Sequence, residues 1–256
     1  MKRAVVGLLG ALATTTAFAA DLPTKAPFAP VVTAYNWTGF YLGGHAGWGW
    51  IDNTTTIIDG SPQFPAGTVL NSQNDGGFIG GGQVGYNFQF GSWVLGVEGD
   101  FTGTSINACS STLGNGGFTT TPCLGTNWTA DVTGRLGYAW DNWLLYAKGG
   151  FAWGDFSSTA QTFNAAGTMV TTSSGGETRT GWVLGGGLEY ALGGNWSAKV
   201  EYTYMDFAND TVTRTQNNLV TGAVSQVQRT NDTQVQEVKF GINYRFNWGA
   251  PIVAKY

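Results

Sequence analysis

The sequence predicts an all-β fold, an eight-stranded antiparallel up-and-down transmembrane β-barrel, and three observations lead to it. Charged residues make up only 11% of the 256 residues, against about 25% in typical soluble domains. Apolar residues recur at every second position in eight separate runs, which is the period of a strand. No segment after residue 19 has 18 consecutive apolar residues, so no membrane-spanning helix is expected. In lipid every backbone polar group needs a partner within the protein, and a closed barrel is then the remaining spanning structure.

The N-terminal residues indicate export. Lys2 and Arg3 precede an apolar run, and the stretch ends in Ala17-Phe18-Ala19, which has the form of a signal-peptidase site. Residues 1–19 are therefore expected to be a signal peptide, too short in its apolar part to span a bilayer. Residues 20–35 contain three prolines and little periodicity, and are expected to form a periplasmic tether. The predicted barrel covers residues 36–248, a tail covers 249–256, and the predicted location is the outer membrane of a Gram-negative cell.

The eight predicted strands follow one another along the chain with the same alternation. In the last of them Phe240 and Ile242 share one face, and Lys239 and Arg245 share the other. The runs, in order, are NWTGFYLGGHAGWGW, FIGGGQVGYNFQF, WVLGVEGDF, WTADVTGRLGY, WLLYAKGGFAW, RTGWVLGGGLEY, WSAKVEYTY and QEVKFGINYRF.

The predicted connections alternate in length. Runs two and three, four and five, and six and seven are joined by a few residues rich in Gly, Asn and Asp, which is typical of hairpin turns. The other four connections cover about residues 53–75, 104–126, 156–177 and 208–234 and are rich in Thr, Asn, Ser and Gly. Short periplasmic turns and long extracellular loops are typical of outer-membrane barrels.

The apolar face is predicted to contact lipid and the charged face to line the lumen. A soluble barrel such as a lipocalin would reverse this arrangement, but the low charge content argues against it. Six acids and six bases fall on the predicted lumen face, so we expect them to form a charge network, and an eight-stranded lumen is just wide enough for side chains to fill. A proton or ion path through this network stays open as the alternative. The twelve residues are Glu98, Asp100, Asp131, Arg135, Lys148, Arg179, Glu189, Lys199, Glu201, Glu237, Lys239 and Arg245.

Other candidate sites are few. Cys109 and Cys123 are the two cysteines and are expected to form a disulfide in an exported protein, since too few ligands accompany them for a metal site. His45 is the single histidine, is predicted to face the lumen, and lacks a paired nucleophile, so no enzyme is predicted. No cofactor is predicted; haem remains an alternative that would use extracellular residues such as Met169, because a filled lumen cannot admit it. Loss of Lys2 and Arg3 leaves ten basic against sixteen acidic residues, which argues against a nucleic-acid partner.

The start YNWTGFYLGGHAGWGW and the close VKFGINYRF followed by PIVAKY resemble the small alphaproteobacterial outer-membrane β-barrel proteins, an OmpA-like family that includes major surface antigens and haemin-binding members. Lys239, Gly241, Tyr244 and Phe246 also resemble the C-terminal signal that the barrel assembly machinery reads. This sequence departs from the usual signal in having a ten-residue tail after it. The resemblance implies contact with outer-membrane lipid and lipopolysaccharide, assembly by that machinery, and haemin or another surface ligand as possible partners.

These observations predict a structural and surface-interaction role in the envelope. A small-solute porin and a haemin- or ligand-binding surface protein are the alternatives, the first testable by conductance and the second by a saturable titration.

Overall fold

The computed structural model describes residues 35–58, 65–71, 75–218 and 224–246. The predicted signal peptide, the C-terminal tail and nearly all of the tether lie outside these residues. No helix among the described residues is long and apolar enough to cross a membrane. The long strands are β1 (Gly39–Ile57), β3 (Asp75–Phe90), β4 (Trp93–Cys109), β6 (Thr119–Trp140), β7 (Trp143–Phe163), β8 (Met169–Gly193), β9 (Trp196–Asn218) and β10 (Val224–Phe246), and two short strands are β2 (Val69–Asn71) and β5 (Thr112–Leu113).

The eight long strands form one closed antiparallel sheet. Each pairs with its neighbour in the chain, and β10 pairs with β1 to close the ring. When successive register partners are followed around the sheet from Phe40, the path returns to β1 at Trp50, ten residues further along. This stagger is the shear that tilts the strands of a closed barrel. The predicted eight-stranded up-and-down barrel is confirmed.

Alternate side chains separate into an outer apolar face and a buried inner face, as predicted. On β10, Phe240 and Ile242 are 63% and 53% exposed, whereas Lys239, which directly precedes Phe240, is fully buried. Aromatic pairs mark two belts on the outside. Trp143–Tyr190 and Trp196–Tyr244 lie beside the short turns, with ring centroids 4.5 and 4.9 Å apart, and Phe101–Trp128 and Trp182–Tyr204 lie higher on the wall. Such belts mark the two membrane interfaces.

The strands are longer than a bilayer requires, and this corrects the predicted loops. A tilted strand crosses the hydrocarbon layer in about 9–11 residues, and β7 has 21. Most of the polar stretches predicted as loops at 104–126, 156–177 and 208–234 are strand instead. Threonine is favourable in strands, and hydroxyls pair across them, as in Thr120 and Thr162 at 3.0 Å. The barrel wall therefore continues beyond the upper aromatic belt as an extracellular extension.

One wall of this extension is split. β8 and β9 pair from Gly193–Trp196 up to Gly181–Phe207, then separate, and pair again only at Thr172–Asn217. Between these points residues 173–180 of β8 pair with β7 alone. Over these residues β8 has no register partner on β9.

Candidate functional site: the filled lumen

The centre of the lumen is an ion-pair cluster around Glu98. Its carboxylate lies 3.2 Å from the Arg135 guanidinium, 3.3 Å from Lys148 Nζ and 3.5 Å from Lys199 Nζ. The Tyr41 hydroxyl donates a hydrogen bond to it at 2.7 Å. All of these side chains are buried, so Glu98 is compensated by three cations away from bulk solvent.

Glu201 and Glu189 extend the cluster across the barrel. Glu201 lies 2.8 Å from Lys148 Nζ and 3.2 Å from Lys199 Nζ, and accepts a hydrogen bond from the Tyr146 hydroxyl at 2.7 Å. Glu189 lies 3.1 Å from Arg135, whose guanidinium also stacks 3.9 Å from the centre of the Tyr146 ring. Side chains from six strands, β1, β4, β6, β7, β8 and β9, thereby meet within one buried layer.

A second part of the network surrounds Lys239. Its ammonium group lies 3.0 Å from Asp100 and 2.9 Å from Glu237. His45 lies beside it, with its ring nitrogens 2.7 Å from Gln83 Oε1 and 3.0 Å from Thr102 Oγ1. The lumen position predicted for His45 is correct, and both of its ring nitrogens are occupied by hydrogen bonds within the barrel.

All twelve predicted network residues are buried, but Arg179 and Arg245 have their contacts outside the central layer. Arg179 forms an ion pair with Glu177 and donates to Thr233 at 2.8 Å. Arg245 donates to the backbone carbonyls of Asn36 and Thr38 at the periplasmic end. The central layer therefore holds six acids and four Lys and Arg bases.

Asp131 is the acid that this imbalance leaves least compensated. It is 2% exposed, and neither of its carboxylate oxygens has a hydrogen-bond partner. The nearest cation, Lys148 Nζ, lies 3.7 Å away and is shared with Glu98 and Glu201. A buried carboxylate without hydrogen bonds is costly, so Asp131 is the weak point of the network.

The periplasmic end of the lumen is closed by an apolar cluster that the alternation did not predict. Trp37, which precedes β1, is 2% exposed and packs with residues from β4, β6, β7 and β8. Its backbone NH donates to Gln89 at 2.7 Å, and Tyr35 packs edge-on against its ring. We name the set the lower cluster: Trp37, Val94, Ala139, Leu144, Tyr146 and Ala191.

A larger apolar cluster closes the other end. Phe156 and Phe207 meet edge to face there, with centroids 4.9 Å apart, and Arg179 lies over the Phe156 ring. We name the set the upper cluster: Ile51, Ile79, Ile106, Ala108, Leu124, Ala152, Phe156, Val183, Met205, Phe207 and Val235. In the sequence, the upper cluster is indicated by pairs of adjacent apolar residues, such as Trp50-Ile51 and Phe78-Ile79. Because neighbouring residues of a strand point to opposite faces, one residue of each pair faces outward and the other faces the lumen.

Lumen glycines provide room for tyrosines. A Cβ built on Gly187 would lie 2.6 Å from the Tyr146 hydroxyl, and one on Gly85 would overlap the Tyr41 hydroxyl. Both hydroxyls donate to network carboxylates. Small residues at these two positions are required for the tyrosines to reach the network.

Of the remaining predicted residues, Cys109 and Cys123 are bonded to each other and join β4 to β6 in the extracellular extension. The four residues of the predicted assembly signal do not share a face. Lys239 lies buried in the network and Gly241 follows it on the inner register, whereas the Tyr244 and Phe246 rings pack together on the outer face, 5.1 Å apart.

Comparison with known proteins identifies the family of this barrel. The sequence model of the family described as "Outer membrane protein beta-barrel domain" matches residues 6–246. The chain belongs to this family. Within it, the chain is similar to the 31 kDa outer-membrane immunogenic protein of Brucella melitensis, at 32% identity over 96% of this chain and all of that protein.

Other relatives agree on the cellular location. The 22 kDa outer membrane protein of Rhizobium leguminosarum is 30% identical over 70% of this chain and 68% of its own length. These relatives place the chain among outer-membrane proteins of alphaproteobacteria, as the resemblance implied, with surface-antigen-like members. Among solved structures, the outer membrane protease OmpT of Escherichia coli covers 84% of this chain and 99% of its own, with a TM-score of 0.52. At 8% identity that likeness concerns the fold alone.

Proposed function

We propose that this protein is a non-conducting structural barrel of the outer membrane whose extracellular extension is its interaction surface. The observation that carries the proposal is the three-layer lumen: the lower cluster, the charge network and the upper cluster follow one another along the axis. An ion crossing it would have to pass two dry apolar layers and break a network of buried pairs, and moving a charge into an apolar medium is strongly unfavourable.

Conductance of the purified protein in a planar bilayer tests this proposal. Folding is first established by the faster gel migration of the unheated barrel. We expect baseline current with rare small openings at most, with a porin of larger strand number as the positive control. A steady ohmic conductance from the folded sample would overturn the proposal in favour of the small-solute pore.

His45 bears on two alternatives, enzyme and haemin receptor. Because both ring nitrogens are engaged by Gln83 and Thr102 inside the barrel, neither is free to activate a nucleophile or to ligate an iron. We therefore propose a role without catalysis. Haemin binding would have to use the extracellular extension, where Met169 is exposed, and a saturable absorbance titration with haemin that is lost in Met169→Leu would support that alternative.

We also propose that the barrel assembly machinery recognises β10, and that lipopolysaccharide surrounds the extracellular half of the wall. β10 is the strand that closes the ring with β1, so a signal on it is presented until the last pairing forms. Phe246→Ala should lower the yield of folded barrel in cells without changing refolding of the purified chain, whereas Phe240→Ala on the same outer face should leave both unchanged. Equal losses in cells and in vitro would assign Phe246 to stability alone.

A further inference from the structure

A groove runs along the outer wall where the barrel closes. It has a volume of about 920 Å³ and lies across β9, β10 and β1. Its floor is formed by small residues, among them Gly44, Ala46 and Ala198, and its sides by Trp196, Phe240 and Tyr244. The volume falls within the range of small-molecule sites, about 300–1,000 Å³, and the groove is open along its lipid-facing side.

The depth of the groove is not imposed by packing within the chain. A Cβ built on Gly44 would meet one atom, the Gly81 carbonyl oxygen, at an ordinary 3.6 Å. A larger side chain therefore fits at this position. Glycine weakens a strand and often marks a place where another molecule approaches the backbone closely, and here the approach is from outside the barrel.

The position of the groove identifies its surroundings. Trp196 and Tyr244 belong to the aromatic belt beside the short turns, with centroids 4.9 Å apart, and Phe240 is 63% exposed on the lipid face. The rise from Phe246 to Phe240 is six residues. At about 3.3 Å per residue and a tilt near 45° this is about 14 Å along the membrane normal, about half of a 30 Å hydrocarbon layer. The groove therefore spans the periplasmic leaflet.

We propose that this groove is a binding site for a phospholipid of the periplasmic leaflet, which seats an acyl chain against Gly44 and Ala198 and its glycerol region beside Trp196 and Tyr244. The lining is apolar along the depth of one leaflet and ends at an aromatic belt, and these two features match the two parts of such a lipid. Elsewhere the outer wall contacts lipids that exchange freely, whereas in the groove one phospholipid would stay bound long enough for its position to be mapped by crosslinking. It does not depend on whether the lumen conducts.

The test is photocrosslinking in reconstituted vesicles. The probe is phosphatidylethanolamine with a diazirine on one acyl chain, present as a minor component among unlabelled phospholipids, and the modified peptides are mapped by mass spectrometry. We expect modification to concentrate on residues 192–200 and 238–246. Modification spread around the barrel in proportion to exposed apolar area would overturn the proposal.

Filling the groove provides the variant. Gly44→Leu with Ala198→Leu should lower modification of the groove peptides to the level found on the rest of the lipid-facing wall, because the two leucine side chains occupy the volume in which the acyl chain would pack. The control is Gly134→Leu with Ala147→Leu on β6 and β7. Both positions face outward. When the ten-residue shear is distributed evenly over the eight strands, they lie at about the same height in the membrane as Gly44 and Ala198. A Cβ built on Gly134 would lie 3.9 Å from its nearest atom, the Gly149 carbonyl oxygen.

The control pair should leave labelling of the groove peptides unchanged, and equal loss in both pairs would contradict the proposal. Neither pair substitutes a residue of the predicted assembly signal, and refolding into vesicles bypasses the assembly machinery. Should the double variant fail to fold, Gly44→Leu alone and the wild-type map still decide the question.

Discussion

At the scale of single residues, Glu98 and Asp131 belong to one network but differ in how well their negative charges are compensated. Glu98 lies within 3.5 Å of three cationic side chains and accepts a hydrogen bond from Tyr41. Asp131 has no hydrogen bond to either oxygen and one cation at 3.7 Å. The difference arises from where the strands place them, since both are acids on the lumen face of adjacent strands.

This contrast gives a prediction about isosteric amide substitutions. Glu98→Gln should lower the free energy of unfolding by about 3–5 kcal/mol, because it leaves buried cations uncompensated. Asp131→Asn should change it by less than about 1 kcal/mol or raise it, because the layer holds more acids than bases and no hydrogen bond is lost. Urea unfolding in lipid vesicles, followed by tryptophan fluorescence, measures both. A loss for Asp131→Asn as large as that for Glu98→Gln would show that Asp131 has a partner outside the described contacts.

At the scale of elements, the strands behave as two segments. The lower segments face lipid between the aromatic belts, and the upper segments face water on their outer side, where Thr, Ser and Gly replace the aromatic residues. The same ladder continues through both, because backbone pairing does not depend on which solvent the outer side chains meet. The interruption is between β8 and β9, above Gly181 and Phe207.

This split predicts uneven hydrogen exchange within β8. Residues 173–176 and 178–180 have no register partner on β9, so their backbone amides that point toward the gap should exchange far faster than amides of residues 182–189, which pair on both sides. Exchange resolved by peptide mass spectrometry on the folded barrel gives the comparison. Residues 152–160 of β7, at a similar height but paired on both sides, are the control. Equal protection of the two halves of β8 would mean that the gap is closed in the membrane.

At the scale of the whole molecule, three successive layers of side chains each close the lumen. The lower cluster around Trp37, the central ion pairs and the upper cluster around Phe156 each obstruct the axis. Removal of any one leaves the others in place.

The combined variant Trp37→Ala with Phe156→Ala should therefore remain silent in a planar bilayer, since the network between the clusters is untouched. It should still lose several kcal/mol of unfolding free energy, about 3–5 for each buried aromatic ring. The exposed pair Trp48→Ala with Phe151→Ala is the control for loss of aromatic area on the lipid side. Steady conductance in the lumen variant alone would mean that the apolar clusters, and not the ion pairs, are the barrier.

The sequence by itself determined the number of long strands, the alternation of short and long connections and the lipid-facing side. Eight runs with a period of two predict eight strands with one apolar face, and strands in lipid must form a closed sheet. It also put His45 and twelve charged residues on the predicted lumen face, and all thirteen are buried in the structure. Only the tertiary structure decided which acids meet which bases, because register and shear bring together residues up to 139 positions apart, such as Asp100 and Lys239. It also decided that apolar clusters close the lumen at both ends. Ile51 and Ile79 each follow another apolar residue in the sequence, and Trp37 precedes the first strand. Only the closed ring turns these three side chains inward, where they are buried.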